Sequence, residues 1–241
     1  MSIFSVWGPP NSGKTTLAID LAYALAQRDH SVCLISNEQY GELVARLDIN
    51  ISEAQSLPMA YKAKGSLKQI VYKVNDLLFV LAVSSVYDAF RDESSSEGAR
   101  TILEQAITMF DYIIVDCPSH TSSYLSAWAL KMSQNVFCVT GNRTSSAMWY
   151  SAFKTGIEEI ESKIIPVCIE VNDYFNYTLL HQLLKYDPFT WVPYFKDADM
   201  HLVKYPTLYS SGGKFGRKYD HSINVVCDFI EERREEVITD E

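Results

Sequence analysis

"WGPPNSGKTTLA", Trp7–Ala18, stands close to the start of the chain and decides its architecture. It follows a β-like apolar run, "IFSVW" (Ile3–Trp7), and leads into a segment, Lys14 to Arg28, with Leu17, Leu21 and Leu25 at helical spacing. Between them come a glycine, four residues, and Gly13-Lys14-Thr15. This is G-x-x-x-x-G-K-[ST] in its required strand-to-helix context. Glycines let the backbone wrap around phosphate oxygens, and successive N–H groups then point inward as an anion nest. The helix adds its positive N-terminal end. On this reading Gly8, Pro9, Pro10, Asn11, Ser12, Gly13, Lys14, Thr15 and Thr16 form a phosphate cradle. Lys14 bridges the β- and γ-phosphates, Thr15 ligates Mg²⁺ through its hydroxyl, and Thr16 reaches the α-phosphate.

The strand-helix rhythm continues beyond the loop. "SVCLIS" (Ser31–Ser36), "LLFVLAV" (Leu77–Val83), "YIIVD" (Tyr112–Asp116), "NVFCVT" (Asn135–Thr140) and "IIPVCIEV" (Ile164–Val171) read as strands, several of them apolar on both faces. Glu97 to Phe110 and Ser145 to Ser162 read as helices. The pattern predicts an α/β fold with a mostly parallel central sheet and helices on both faces. The 241 residues suit a single domain, with a core over about 1–195 and a C-terminal helical extension over about 196–241. Gly41 to Asp76, and the stretch after Pro193 containing "SSGGKFGRK", read as loop-rich on turn composition.

"FDYIIVDCPS" supplies the natural partner of the loop. A strand ends in Asp116, where a carboxylate faces the phosphate site and holds Mg²⁺. Asp111, at the start of the same strand, reads as a solvated or helix-terminal acid. Five widely spaced cysteines read as reduced buried thiols of a cytoplasmic protein. The longest apolar run is too short to span a bilayer, and the N-terminus lacks the pattern of a secretory signal. The net charge of −9 sets the global field against a polyanion.

With these motifs the chain resembles the ParA/MinD family of P-loop ATPases over about Ile3 to Pro193. The resemblance implies a P-loop NTPase fold, ATP and Mg²⁺ as ligands, slow hydrolysis, and a nucleotide-dependent homodimer that engages an unidentified protein partner. It also implies site residues. In "LISNEQYG" the family's Asp-x-Asp becomes Ser36 and Glu38, so Glu38 either orients the attacking water or is a surface acid at a strand end. In "VCIEVND", Asn172 either pairs with the adenine edge or forms a turn. The catalytic set implied is Lys14, Glu38 and Asp116, with Thr15 and Asp116 at the metal. No N-K-x-D motif is present, which favours ATP over GTP. Many members carry a lysine where Pro9 stands here, and that lysine reaches across the dimer. Pro9 and Pro10 also remove two backbone donors. Such altered loops resemble the CpaE/TadZ-like branch linked to Flp/Tad pilus assembly. The implied role is positioning or assembly, of a pilus or secretion machine or of partitioned DNA. The rival reading is a nucleotide-binding scaffold without significant hydrolysis.

Partner surfaces are less marked. The C-terminal "CDFIEERREEVITDE" is acidic, which argues against direct membrane anchoring. Lys214, Arg217 and Lys218 in "KFGRK" read as a basic stretch in a glycine-rich loop, either solvated surface or a non-specific DNA contact. Met148, Trp149 and Tyr150 read as core or as an exposed contact face. His120 reads as a polar loop residue or a neighbour of the phosphates.

Overall fold

The computed structural model describes residues 2–38, 41–62, 66–84, 94–120, 122–141, 143–170 and 187–239. Eight strands form one sheet: β1 (Ser2–Trp7), β2 (Val32–Ser36), β3 (Tyr72–Lys73), β4 (Leu78–Leu81), β5 (Tyr112–Asp116), β6 (Asn135–Gly141), β7 (Ile164–Ile169) and β8 (Thr190–Val192). Their order is β3-β4-β2-β5-β1-β6-β7-β8. Among the described residues only β3 runs antiparallel, against β4.

The helices among the described residues are α1 (Lys14–Gln27), α2 (Glu42–Arg46), α3 (Leu57–Lys62), α4 (Ser96–Met109), α5 (Tyr124–Met132), α6 (Thr144–Glu158), α7 (Ala198–Leu202) and α8 (Gly213–Thr239). Strand periodicity divides the core into two layers. Phe4 and Val6 of β1 face α1 and α8, with Leu17, Leu21, Ile223, Val226 and Ile230. Ile3 and Trp7 face the other way, among Ile102, Leu103, Leu125 and Trp149 of α4, α5 and α6. Continuous apolar strands are therefore covered on both sides, as the sequence predicts.

Two loop-rich expectations need correction. Gly41 to Asp76 contains α2, α3, two 3₁₀ turns and β3. Its Leu43, Val44, Leu47 and Ile51 join one core layer, and Leu57, Leu67, Ile70 and Val71 join the other. Elements of only one or two turns carry too few apolar repeats for periodicity to register. The stretch after Pro193 contains α8, 27 residues long. Gly212 (φ 76°), just ahead of it, and Gly213 (φ 70°), its first residue, take left-handed backbone conformations. Lys214, Arg217 and Lys218 accordingly lie in the opening turns of a helix, not in a glycine-rich loop.

Polar ties fasten α8 to the end of α1 and to the start of β5. Arg28 donates to Asp228 at 2.7 Å and to Glu231 at 2.6 Å. Arg234 donates to Asp111 at 2.6 Å, while Asp111 also accepts from the Ser31 amide and hydroxyl. Burial alone would raise the Asp111 pKa, but these bonds outweigh it and bring it down to about 2. Asp111 is thus a structural clamp rather than a solvated acid. All five cysteines are buried and free. No helix among the described residues is long and apolar enough to cross a membrane.

Candidate functional site

Register places the site. Val6 of β1 and Ser36 of β2 both lie opposite Asp116 of β5. Three parallel strands therefore end level with one another, and the loop after β1 rises over their carboxyl edge, where ligands collect in open α/β sheets.

The loop's geometry demands its glycines. A Cβ on Gly8 would sit 2.2 Å from the Val139 carbonyl oxygen of β6. Gly13 has φ 89°, and its Cβ would lie 2.9 Å from Ile169 Cδ1. Asn11 takes a left-handed conformation, φ 56°. Gly13 caps α1 without a side-chain hydrogen bond, which leaves the first-turn amides of the helix without a cap from that side chain.

Lys14 is almost wholly buried. Its ammonium donates to the Pro9 carbonyl at 3.2 Å and to Ser119 Oγ at 2.9 Å. The lysine thus spans the mouth of the loop. Thr15 Oγ1 donates to Asp116 Oδ2 at 2.9 Å, and Ser36 Oγ reaches the same oxygen at 3.3 Å. Asp116 is fully buried and its Oδ1 has no hydrogen-bond partner. Burial pushes its pKa up to about 7, against the Thr15 bond and the Lys14 charge, with Glu38 and Glu42 adding to the rise. A buried, half-unsatisfied carboxylate beside a threonine hydroxyl is a hard-oxygen donor pair that fits Mg²⁺. Ser12 Oγ is also buried without a partner. The cradle, the orphan oxygens and the buried lysine fit a magnesium-bound phosphate chain.

Glu38 belongs to the same electrostatic cluster. Burial raises its pKa, Lys14 and His120 lower it, and Glu42 raises it. Ser36, in the first position of the altered Asp-x-Asp, serves Asp116 as a hydrogen-bond donor. A second acid there would have repelled the buried carboxylate. Asn37 donates to Ser123 and so ties the end of β2 to the cap of α5. His120 is exposed and bonds Ser122 at 2.8 Å.

Beside the cradle lies a cleft of about 470 Å³, lined by Ser12, Thr16, Ile169, Glu170, Pro193 and Tyr219 among others. Its volume suits a small-molecule site. Asn172 lies outside the described residues. The cleft nevertheless reaches Glu170, two residues before it.

Two contacts escaped the sequence reading. Ser119 receives Lys14 on its hydroxyl and the Trp149 indole N–H on its carbonyl, at 2.8 Å. Trp149 packs edge-on against Trp7, centroids 4.7 Å apart. The Met148–Tyr150 alternatives therefore divide: Trp149 and Tyr150 are core, and Met148 is 65% exposed. The other contact is Arg46 Nη1 on Thr16 Oγ1, at 3.0 Å. No motif announces either, because both depend on separate segments meeting.

The comparisons agree with this geometry. The chain belongs to the AAA domain family, whose model matches residues 10–169. Its fold is that of ParA/MinD-type P-loop ATPases. A ParA family ATPase from Chlorobium tepidum TLS superposes with TM-score 0.77 at 16% identity, covering 95% of this chain and 98% of that one. A plasmid partition protein from Borrelia burgdorferi B31 bound to AMPPNP gives 0.74 at 13% identity, covering 95% and 99%. The septum site-determining protein MinD of Pyrococcus horikoshii OT3, complexed with Mg-ADP, gives 0.72 at 15% identity, covering 95% and 96%. No curated protein sequence matches the chain.

Proposed function

We propose that this protein binds ATP with Mg²⁺ at the Gly8–Thr16 loop and hydrolyses it slowly, as a molecular switch in the positioning or assembly of a cellular structure. The observation that carries the reading is the pairing of Thr15 with the buried, half-unsatisfied Asp116, 2.9 Å apart, beneath a loop whose lysine is already enclosed. Mg²⁺, when bound, would neutralise charge on the phosphates and hold them in place. Thr15 and Asp116 would hold the ion. Lys14 would exchange Ser119 and the Pro9 carbonyl for phosphate oxygens. The cleft beside Thr16 would take the nucleoside, and Asn172 would read adenine. Glu38 would orient the attacking water.

The fold likeness to a partition protein bound to AMPPNP and to a MinD bound to Mg-ADP supports the ligand class. The departures at Pro9 and Ser36 support slow turnover. Without a lysine at position 9, the partner protomer's phosphates lose a charge-assisted contact of the kind that is worth about 10³-fold or more when an arginine finger supplies it. Exchange of the Lys14 contacts would move Ser119, and with it Trp149 on α6. A nucleotide-dependent dimer or protein-partner surface would form around these loops.

The test is nucleotide titration followed by single-turnover hydrolysis of labelled ATP. Wild type should bind ATP better than GTP and hydrolyse it at well below about one per minute, a rate low beside ordinary enzymes. Lys14→Ala should lose binding while remaining folded, and Glu38→Ala should bind and hold ATP intact. Tight binding with no hydrolysis in wild type would make the protein a nucleotide-dependent scaffold instead. Unchanged ATP affinity in folded Lys14→Ala would refute the site.

A further inference from the structure

Arg46 closes α2, the first helix after the Glu38 segment. One arm of its guanidinium is engaged: Nη1 donates to Thr16 Oγ1 at 3.0 Å. The remaining edge is not. Nε and Nη2 are both buried and neither has a hydrogen-bond partner. These two nitrogens form the side-on edge of the guanidinium, two parallel donors matched in spacing to the oxygens of a phosphate or carboxylate. A buried cationic edge without an acceptor is costly to keep.

The surroundings narrow the identity of the missing acceptor. The buried carboxylate of Asp20, one helical turn beyond Thr16, is already occupied by Thr207, the Leu208 and Tyr209 amides, and the Tyr219 hydroxyl. Thr16 lines the 470 Å³ cleft, and so does Tyr219, whose phenol feels the charge of Arg46. The unpaired fork thus belongs to the arginine that holds Thr16, the threonine that closes the phosphate loop and lines the cleft.

We propose that Arg46 is a nucleotide-binding residue: it holds the Thr16 hydroxyl in place and supplies the fork that receives the α-phosphate. The proposal rests on the reading of the cleft as a nucleotide site. It also gives α2 a direct stake in occupancy, because the arginine that meets the phosphate is the last residue of that helix. The α-phosphate is common to ATP and ADP, so this contact adds affinity for both alike, whereas Lys14 addresses the outer phosphates.

The experiment is titration of wild type, Arg46→Met and Arg46→Lys with ATP and with ADP, alongside Lys14→Ala. It is completed by ³¹P spectra of bound ADP. Methionine keeps the apolar stem and removes the charge. Arg46→Met should weaken ATP and ADP by the same factor, about 10- to 100-fold, the range for a charge-assisted hydrogen bond. Arg46→Lys should recover part of that loss. The α-phosphorus resonance of bound ADP should shift in both variants while the β resonance holds. Should the methionine variant not fold, the lysine variant decides. A displaced α resonance with both affinities lowered supports the assignment, and an unchanged resonance with unchanged affinities overturns it. Folded Arg46→Met that binds both nucleotides within twofold of wild type, or that weakens ATP alone, also overturns it. If Lys14→Ala loses binding while Arg46→Met keeps it, only the Arg46 assignment fails. If wild type binds neither nucleotide, the nucleotide site falls and the Arg46 assignment with it.

Discussion

Asp20 is the residue whose removal should most clearly separate α1 from the C-terminal part of the chain. It is fully buried on α1, and burial is the dominant influence on its carboxyl, raising its pKa. Opposing that rise are four donors from a segment far along the chain: Thr207 Oγ1, the Leu208 amide at 2.9 Å, the Tyr209 amide at 3.3 Å and the Tyr219 hydroxyl at 2.5 Å. Asp20→Ala would orphan the Leu208 amide and the Tyr219 hydroxyl in the interior. Each buried donor left unsatisfied costs about 1–3 kcal/mol. Removing a desolvated carboxyl returns part of this, so the net loss should be about 2–4 kcal/mol, a large fraction of a typical stability. Asp20→Asn keeps an acceptor oxygen for Leu208 and replaces the oxygen facing Tyr219 with an N–H donor that the phenol oxygen can accept, so it should cost clearly less than alanine. Urea unfolding read by circular dichroism measures both. Amide exchange at Leu208 and Tyr209 should accelerate in the alanine variant before exchange in β1 does. An alanine variant within about 0.5 kcal/mol of wild type, the spread of ordinary surface changes, would refute the reasoning. So would an asparagine variant as damaging as alanine.

Two further outcomes follow from the cradle. Gly8→Ala places a Cβ 2.2 Å from the Val139 carbonyl, where only main chain can yield, and should cost about 2–4 kcal/mol; unfolding at an unchanged urea midpoint would mean that β6 accommodates the methyl. Asp116, with its pKa raised to about 7, must lose a proton to hold Mg²⁺. Mg-ADP affinity, measured by calorimetry, should therefore rise about tenfold per pH unit below 7 and level off above it. The ligand-free protein should show the opposite trend. Its folded state keeps a proton that the unfolded chain releases near 3.8, so this group's contribution to stability falls as pH rises from about 4 to 7. A flat affinity profile between pH 6 and 8 would remove Asp116 from the metal.

What could be read from sequence was whatever is local or strongly periodic. The phosphate loop declared itself because its chemistry and its turn are encoded by neighbouring residues, Gly8 through Thr16. Six strands and three helices were legible because apolar spacing persists through each of them. The place of Asp116 was legible because the apolar run of its strand stops at that carboxylate. Tertiary structure decided the rest, because it brings together residues that no spacing relates. The ordering of β3 and α2 depends on both core layers recruiting a few apolar side chains from Gly41–Asp76. The C-terminal extension reads as helical from sequence, but the docking of α8, with its apolar stripe on α1 and β8, was hidden by an acidic, polar sequence whose covered face only packing reveals. Ser119 under Lys14, Asp111 clamped by Arg234, and Arg46 holding Thr16 all join segments dozens of residues apart. A hydrogen bond between such partners is set by the path of the backbone, and that path is fixed by packing of the whole sheet rather than by any stretch of the chain.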